Sequence, residues 1–143
     1  MADAVASQTI LDGERVAIMK FTNISDGTGE NKVVKVNAAA LAPSSAGGAC
    51  DAVTITKIHA STHGLEVQIY WDATTDILCW IAPQNSQYTW DFSQFGGLIN
   101  NAGTGKNGNV LFSTVDASAG DMYSIILEMT KHYVQPTNYV QPQ

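Results

Sequence analysis

The sequence predicts an all-β domain, an antiparallel sandwich of two sheets, and three observations carry that expectation. Within residues 65–81, Leu65, Val67, Ile69 and Trp71 alternate with Glu66, Gln68, Tyr70 and Asp72. Ile77, Cys79 and Ile81 then alternate with Leu78 and Trp80, which is the period of strands rather than helices. The short polar connection at 73–75 reads as the turn of an antiparallel hairpin. Along the chain, about eight runs of this kind are separated by turn residues, and no convincing amphipathic helix interrupts them. Such spacing fits a jelly roll or an immunoglobulin-like sandwich. The jelly roll is preferred on strand count, because the Cys-Trp-Cys pattern of antibody-type domains is not in the right places.

Taken in order, residues 1–8 read as a flexible terminus, 9–134 as a single sandwich domain, and 135–143 as an extended tail. Residues 14–22 are rich in strand formers, and the turn-dense segment 25–31 leads to a short strand at 32–36 that would close a hairpin with them. Residues 38–50 carry Ala, Ser, Gly and Pro without an apolar period, and so predict a long loop or a short helical turn. The strand at 52–60 shifts its alternation near Lys57, the mark of a bulge. Tyr88, Trp90 and Phe92 share one face of a further strand, followed by a Gly/Asn loop over 96–109 and a strand at 110–115. The longest alternation falls in 121–134, with Tyr123, Ile125, Leu127 and Met129 on one face.

At 143 residues the chain is long enough to bury a real core, and 45% hydrophobic residues argue against general disorder. Only 14% are charged, which leaves a weakly charged exterior suited to packing on other subunits, or simply a turn-rich β fold. Seven Lys and Arg against thirteen Asp and Glu give a net charge of −6. They form no basic stripe, so no nucleic-acid partner is expected. No apolar run is long enough to span a bilayer, and the first seven residues lack the pattern of a signal peptide. Synthesis in a reducing cytoplasm is the expectation, with Cys50 and Cys79 as free thiols favoured over a disulfide.

Residues 102–108 superficially resemble a phosphate loop, but Asn stands at positions 100 and 107, and a strand follows the lysine where phosphate binding needs a helix. His59, His63 and His132 lack ligand spacing, and Asp26, Thr28 and Glu30 lack the third carboxylate of a calcium loop. Neither a metal nor another cofactor is expected. Asp72, Asp76 and Asp91 lie near the tryptophans, as in a glycan cleft, yet Asp72 and Asp76 flank a turn where Asp serves the backbone. No nucleophile elbow is present, so an enzyme is not expected. Trp71 continues the apolar face of its strand and belongs to the core, whereas Trp80, Tyr88 and Trp90 form a possible platform for stacking sugar rings. Packing in the core or an interface is the favoured role for the tryptophans. The tail repeats Tyr133-Val134-Gln135-Pro136 as Tyr139-Val140-Gln141-Pro142, which reads as an arm reaching a neighbour or, more plainly, a frayed end.

Ordered phrases between residues 50 and 131 carry a resemblance. They are WDATTDILCWIAPQN at 71–85, Asp91-Phe92-Ser93, Phe95-Gly96-Gly97, NNAGTGK at 100–106 and SIILEM at 124–129. The chain resembles small virion structural proteins of tailed phages, especially those of marine bacteria and cyanobacteria. That resemblance implies a capsid decoration, or cement, protein on the outer surface of the phage head, made in the host cytoplasm and partnered by the major capsid protein and by itself as a homotrimer. Tyr133, Pro136, Tyr139 and Pro142 of the tail and Asn100, Asn101 and Lys106 of the Gly/Asn loop are the expected interface residues. A tail or neck component would carry the same phrases. The competing reading is a carbohydrate-binding or attachment module using Trp80, Tyr88 and Trp90.

Overall fold

In the computed structural model, which describes residues 3–134, the alternating runs become nine strands in two antiparallel sheets. They are β1 (Ala4–Asp12), β2 (Val16–Asp26), β3 (Val33–Val36), β4 (Cys50–His63), β5 (Glu66–Trp71), β6 (Ile77–Ala82), β7 (Gln87–Asp91), β8 (Val110–Val115) and β9 (Ala119–Tyr133). One sheet has the order β1-β2-β9-β4-β7 and the other β3-β8-β5-β6. The pairs are nested: β5 with β6, β4 with β7, β3 with β8 and β2 with β9, each antiparallel. A long ribbon folded over on itself in this way is a jelly roll. β1 lies outside the nested set, as an added strand on the free edge of β2.

Strands β2 to β9 send side chains inward, and one core cluster results. Ala17 and Phe21 of β2, Ile55 and Ile58 of β4, and Ile125, Leu127 and Met129 of β9 face Val67, Ile69, Trp71 and Phe112 of the other sheet. Phe112 joins the sheets edge-to-face, its ring 5.2 Å from Phe21 and 5.9 Å from Tyr123. The hairpin of β5 and β6 forms as the sequence predicts, and the register shift between Ile55 and Lys57 is the expected bulge. Residues 38–50 hold a short 3-10 turn, Ala38–Ala40, within a long connection.

Two expectations are corrected. Residues 14–22 and 32–36 do not form a hairpin: β2 pairs with β1 and β9, while β3 crosses to the other sheet beside β8. The crossing starts at Gly27 and Gly29, both at positive φ, and buries Val36 under the second sheet. The flexible segment 1–8 is also corrected, since residues 4–8 belong to β1. Their side chains are exposed on both faces, so no core imposes the alternation by which a strand is read, and backbone pairing to β2 alone defines it. The tail at 135–143 lies outside the described residues.

Polar groups close the core at both ends. Lys131 occupies an inward position of β9 with a fully buried side chain. Its ammonium donates to Asp12 Oδ1 at 2.5 Å, the Gly13 carbonyl at 2.8 Å and the Ala42 carbonyl at 2.9 Å. At the opposite end Glu30 accepts from Asn23 Nδ2 at 2.9 Å and the Tyr123 hydroxyl at 2.6 Å, and pairs with Lys35. Burial pushes against the Asp12 carboxylate, but the bonds from Lys131 and the Ala42 N–H outweigh it and hold Asp12 below its ordinary value of 3.8. Burial likewise opposes the Lys131 charge, and Asp12 and Tyr133 outweigh it, holding Lys131 above 10.5.

The native Asp12 value is lowered, so its share of stability is present above pH 3.8 and is lost as pH falls through the lowered value. The raised Lys131 value gives a share present below pH 10.5 and lost as pH rises through the native value. Asp12→Ala strands a buried ammonium and should lower unfolding stability by about 3 kcal/mol at neutral pH. It should also flatten the acid limb of a urea-melt pH series; an unchanged midpoint at pH 7 would show that the pair does not hold this end of the core.

Candidate functional site

β6 and β7 are the last strands of their sheets on the same side of the sandwich. The register places Trp80 beside Ile69, and Trp90 beside Ile58, so both indoles point between the sheets. Trp80 meets Phe92 at 4.8 Å and Trp90 at 5.8 Å, both edge-to-face. Tyr88 leans on Trp90 at 5.6 Å, and Phe95 on Phe92 at 6.1 Å. The result is an aromatic seam that seals the open side of the sandwich.

Of the three platform residues, only Tyr88 presents its ring to solvent, at 61% exposure; Trp80 and Trp90 are half-buried and packed against the core. Among the described residues the Trp80 indole N–H is buried without a protein acceptor. Trp71 is buried, as its alternation predicts. An open trough of about 600 Å³ lies on the outer face of the five-stranded sheet, across β7 from the Tyr88 ring, which shares the other face of that strand with Trp90. The trough floor comes from neighbouring strands and carries Thr22, Ser61, Thr89, Ser124 and Gln87, with Lys20 at one side. His59 crosses it, with Nε2 at 2.5 Å from Glu128 Oε2 and Nδ1 at 3.1 Å from Thr89 Oγ1. The hydroxyls and amide of the trough can hydrogen-bond a neutral polar ligand. Sequence reasoning missed this trough, because its residues are ordinary outward-facing polar positions that only strand register brings together.

The carboxylates near the tryptophans serve turns. Asp76 accepts from the Ala73 N–H at 2.9 Å, and that bond, with Lys32 nearby, holds its carboxyl below the usual range. Asp91 is lowered in the same way by the Ser93 hydroxyl and N–H, and Asp72 Oδ2 accepts from Asn107 at 2.8 Å. Asp76 and Asp91 are engaged with their own turns, and Asp72 with the facing loop over 96–109. His132 Nε2 lies 2.7 Å from Thr54 Oγ1, and no group of three potential metal ligands occurs among the described residues.

The loop over 96–109 folds back on the β5–β6 turn: Asp72 N–H donates to the Asn109 carbonyl and Thr74 N–H to that of Thr104. Gly108, at positive φ, lies against the Asp51 carbonyl, where an added Cβ would sit 2.0 Å away. Asn101 and Lys106 are exposed on this loop, while Asn100 caps it by accepting from the Ala102 N–H at 2.9 Å. Tyr133 is half-buried, bonded through its hydroxyl to the Glu14 carbonyl and lying beneath the Lys131 ammonium. Its role in this structure is to close the end of β9. Pro136, Tyr139 and Pro142 lie outside the described residues.

The outer face of the four-stranded sheet also carries apolar side chains, of which Leu111 is buried by its neighbours. Register aligns Val34, Leu111, Tyr70 and Leu78 in one row across all four strands, with Ile81 opposite Gln68 in the next. Val34, Leu78 and Ile81 are exposed, and Lys32 sits 5.0 Å above the Tyr70 ring. No helix is long and apolar enough to cross a membrane among the described residues.

No family model matches the chain, and no curated protein does. Among solved structures, a mutant of the family 29 carbohydrate-binding module CBM29-2, made to probe ligand recognition, overlays with a TM-score of 0.38 and 11% identity. The overlay covers 94% of this chain and 99% of that one, and at this score carries no argument about function.

Replacing a seam residue separates packing from presentation. Trp80→Ala should cost about 2 kcal/mol in a denaturant melt, its ring being half-buried, whereas Tyr88→Ala should cost less than about 0.5 kcal/mol. Equal losses would mean that the seam is not the packed element. Cys50 and Cys79 are free, and burial pushes the Cys79 thiol up to about 12 and raises Cys50. A thiol reagent at pH 8 should therefore react slowly with native protein and find both thiols only after unfolding; rapid native labelling would contradict this burial.

Proposed function

We propose that this chain is a structural protein of a phage particle, a decoration or cement protein that binds the assembled capsid shell and neighbouring copies of itself. The observation that carries the reading is the row Val34, Leu111, Tyr70 and Leu78 on the outer face of the four-stranded sheet. Strands apolar on both faces, in a sheet with only one face covered, have a second face to bury. A shell of protein subunits supplies such a cover without requiring a pocket, a metal or a reacting group. The ordered phrases shared with virion structural proteins support the same reading, as does the net charge of −6, which is poorly suited to contact with packaged DNA.

A second reading is attachment to a neutral polysaccharide on the virion or host surface. The trough lined by Thr22, Ser61, Thr89, Ser124 and Gln87 favours it. The exposed Tyr88 ring lies on the other face of β7 beside Trp90, so the trough would hold its ligand by hydrogen bonds.

Binding to capsids purified without the protein tests the first reading. Saturable binding, with DNA released at a higher temperature, is the expected result, and Leu78→Lys should weaken it at least tenfold without lowering the melting temperature of the free protein. Absence of binding would overturn the cement reading. If polysaccharide then bound the wild type but not Gln87→Ala, the trough would be the working surface.

A further inference from the structure

We infer that β1 is a self-pairing edge, through which two copies of this chain join their five-stranded sheets across a two-fold axis at Ser7. β1 stands outside the nested pairs of the jelly roll, and among the described residues its far side pairs with no strand. It is nine residues long, whereas the other edge strands have four, five and six. Edge strands are usually blunted by charge, proline or irregularity. Residues 4–11 contain no charged residue and no proline, and the one irregularity, at Ile10, lies near the end of the strand.

A second copy fits this edge for reasons of charge and shape. Two chains of net charge −6 repel, so they can meet closely only where the surface is neutral. The acids that bracket β1 are engaged with their own chain. Asp3 accepts from Asn23 Nδ2 and the N–H groups of Asp26 and Gly29, and Asp12 is paired with Lys131.

Register supplies the shape. On the outer face Ala4 lies beside Ile24, which lies beside Met122, and at the other end of β1 Leu11 lies beside Ile18. With Ile10 left out of the ladder at the irregularity between Thr9 and Leu11, antiparallel pairing about Ser7 sets the small Ala4 of one copy against the large Leu11 of the other. That joins Met122, Ile24, Ala4, Leu11 and Ile18 into one apolar row across five strands, and the two-fold axis makes it twice. Ile24, Leu11 and Met122 are about half exposed in the single chain, at 54%, 46% and 44%. The contact is isologous and closes on itself, giving a dimer and no filament. It uses a different surface from the row at Val34, and stands whether or not the protein binds capsids.

Light scattering on the eluting full-length chain tests this directly. The wild type should give twice the 15.2 kDa chain mass. Ser7→Lys and Ser7→Glu each place like charges opposite one another at the axis and should each elute at the single-chain mass, with unchanged circular dichroism and melting. Mixing the two should restore the doubled mass, while Val34→Lys should leave it intact. A wild type at the single or tripled mass would overturn the proposal, as would a dimer that survives Ser7→Lys or is lost with Val34→Lys.

Discussion

The buried ammonium of Lys131 is the constraint on which one end of the sandwich depends. A lysine at an inward position of the longest strand cannot be left without acceptors, because an unpaired buried charge costs several kcal/mol. Its three donors find three acceptors, and these come from separate parts of the chain: Asp12 at the end of β1, Gly13 in the following turn, and Ala42 in the connection to β4. The backbone adds a bond from the Lys131 N–H to the Arg15 carbonyl at 2.8 Å. One side chain thus fixes where the first hairpin turns and where the long connection passes. Glu30 solves the mirror problem at the other end, where its charge and burial together push the Tyr123 hydroxyl well above an ordinary phenol.

Between these polar ends the nested ribbon decides which surfaces are left over. Pairing β2 with β9, β3 with β8, β4 with β7 and β5 with β6 commits both sheets to one core. The open side at β6 and β7 is then closed by Trp80, Trp90 and Phe92, whose inward rings make that edge part of the interior. No comparable closure exists at β1, which extends past the sandwich with both faces in solvent. The two ends of the five-stranded sheet are therefore physically unlike, one stitched shut by aromatics and the other open along its backbone.

Most of the fold was legible because burial of one strand face leaves a period of two in the sequence. The runs at 65–71 and 121–134 are cases where one face is core and the other mostly polar, and both were read as strands. β1 was illegible for the converse reason: with neither face buried, nothing in Ala4–Asp12 records its pairing. The misplaced hairpin between 14–22 and 32–36 shows a different limit. A turn-rich connection announces a change of direction but not whether the chain stays in its sheet. Of the candidate site, Tyr88 was legible as an aromatic on a strand, but its separation from Trp80 and Trp90 by exposure was not, since all three are inward by period. The trough and the row through Val34 depend on register between strands distant in sequence, and local pattern holds no record of it.

That same dependence on register bears on what kind of function this fold can carry. Catalysis needs groups of particular chemistry at fixed separations; Asp72, Asp76 and Asp91 are engaged in turns and loops, and His59 is paired with Glu128 across strands. Contact with other protein needs only faces and edges of the right polarity, and these emerge from pairing ordinary residues in the right order. Lys32 over Tyr70 and Gln68 bonded to the Tyr70 hydroxyl at 2.7 Å show how the outer row is kept compatible with water in the free chain. Polar groups at the margins of an apolar row limit indiscriminate association while leaving the row available to a surface that matches it. With only 14% of its residues charged, the features that its sheets leave uncovered are apolar side chains and a backbone edge rather than charged patches.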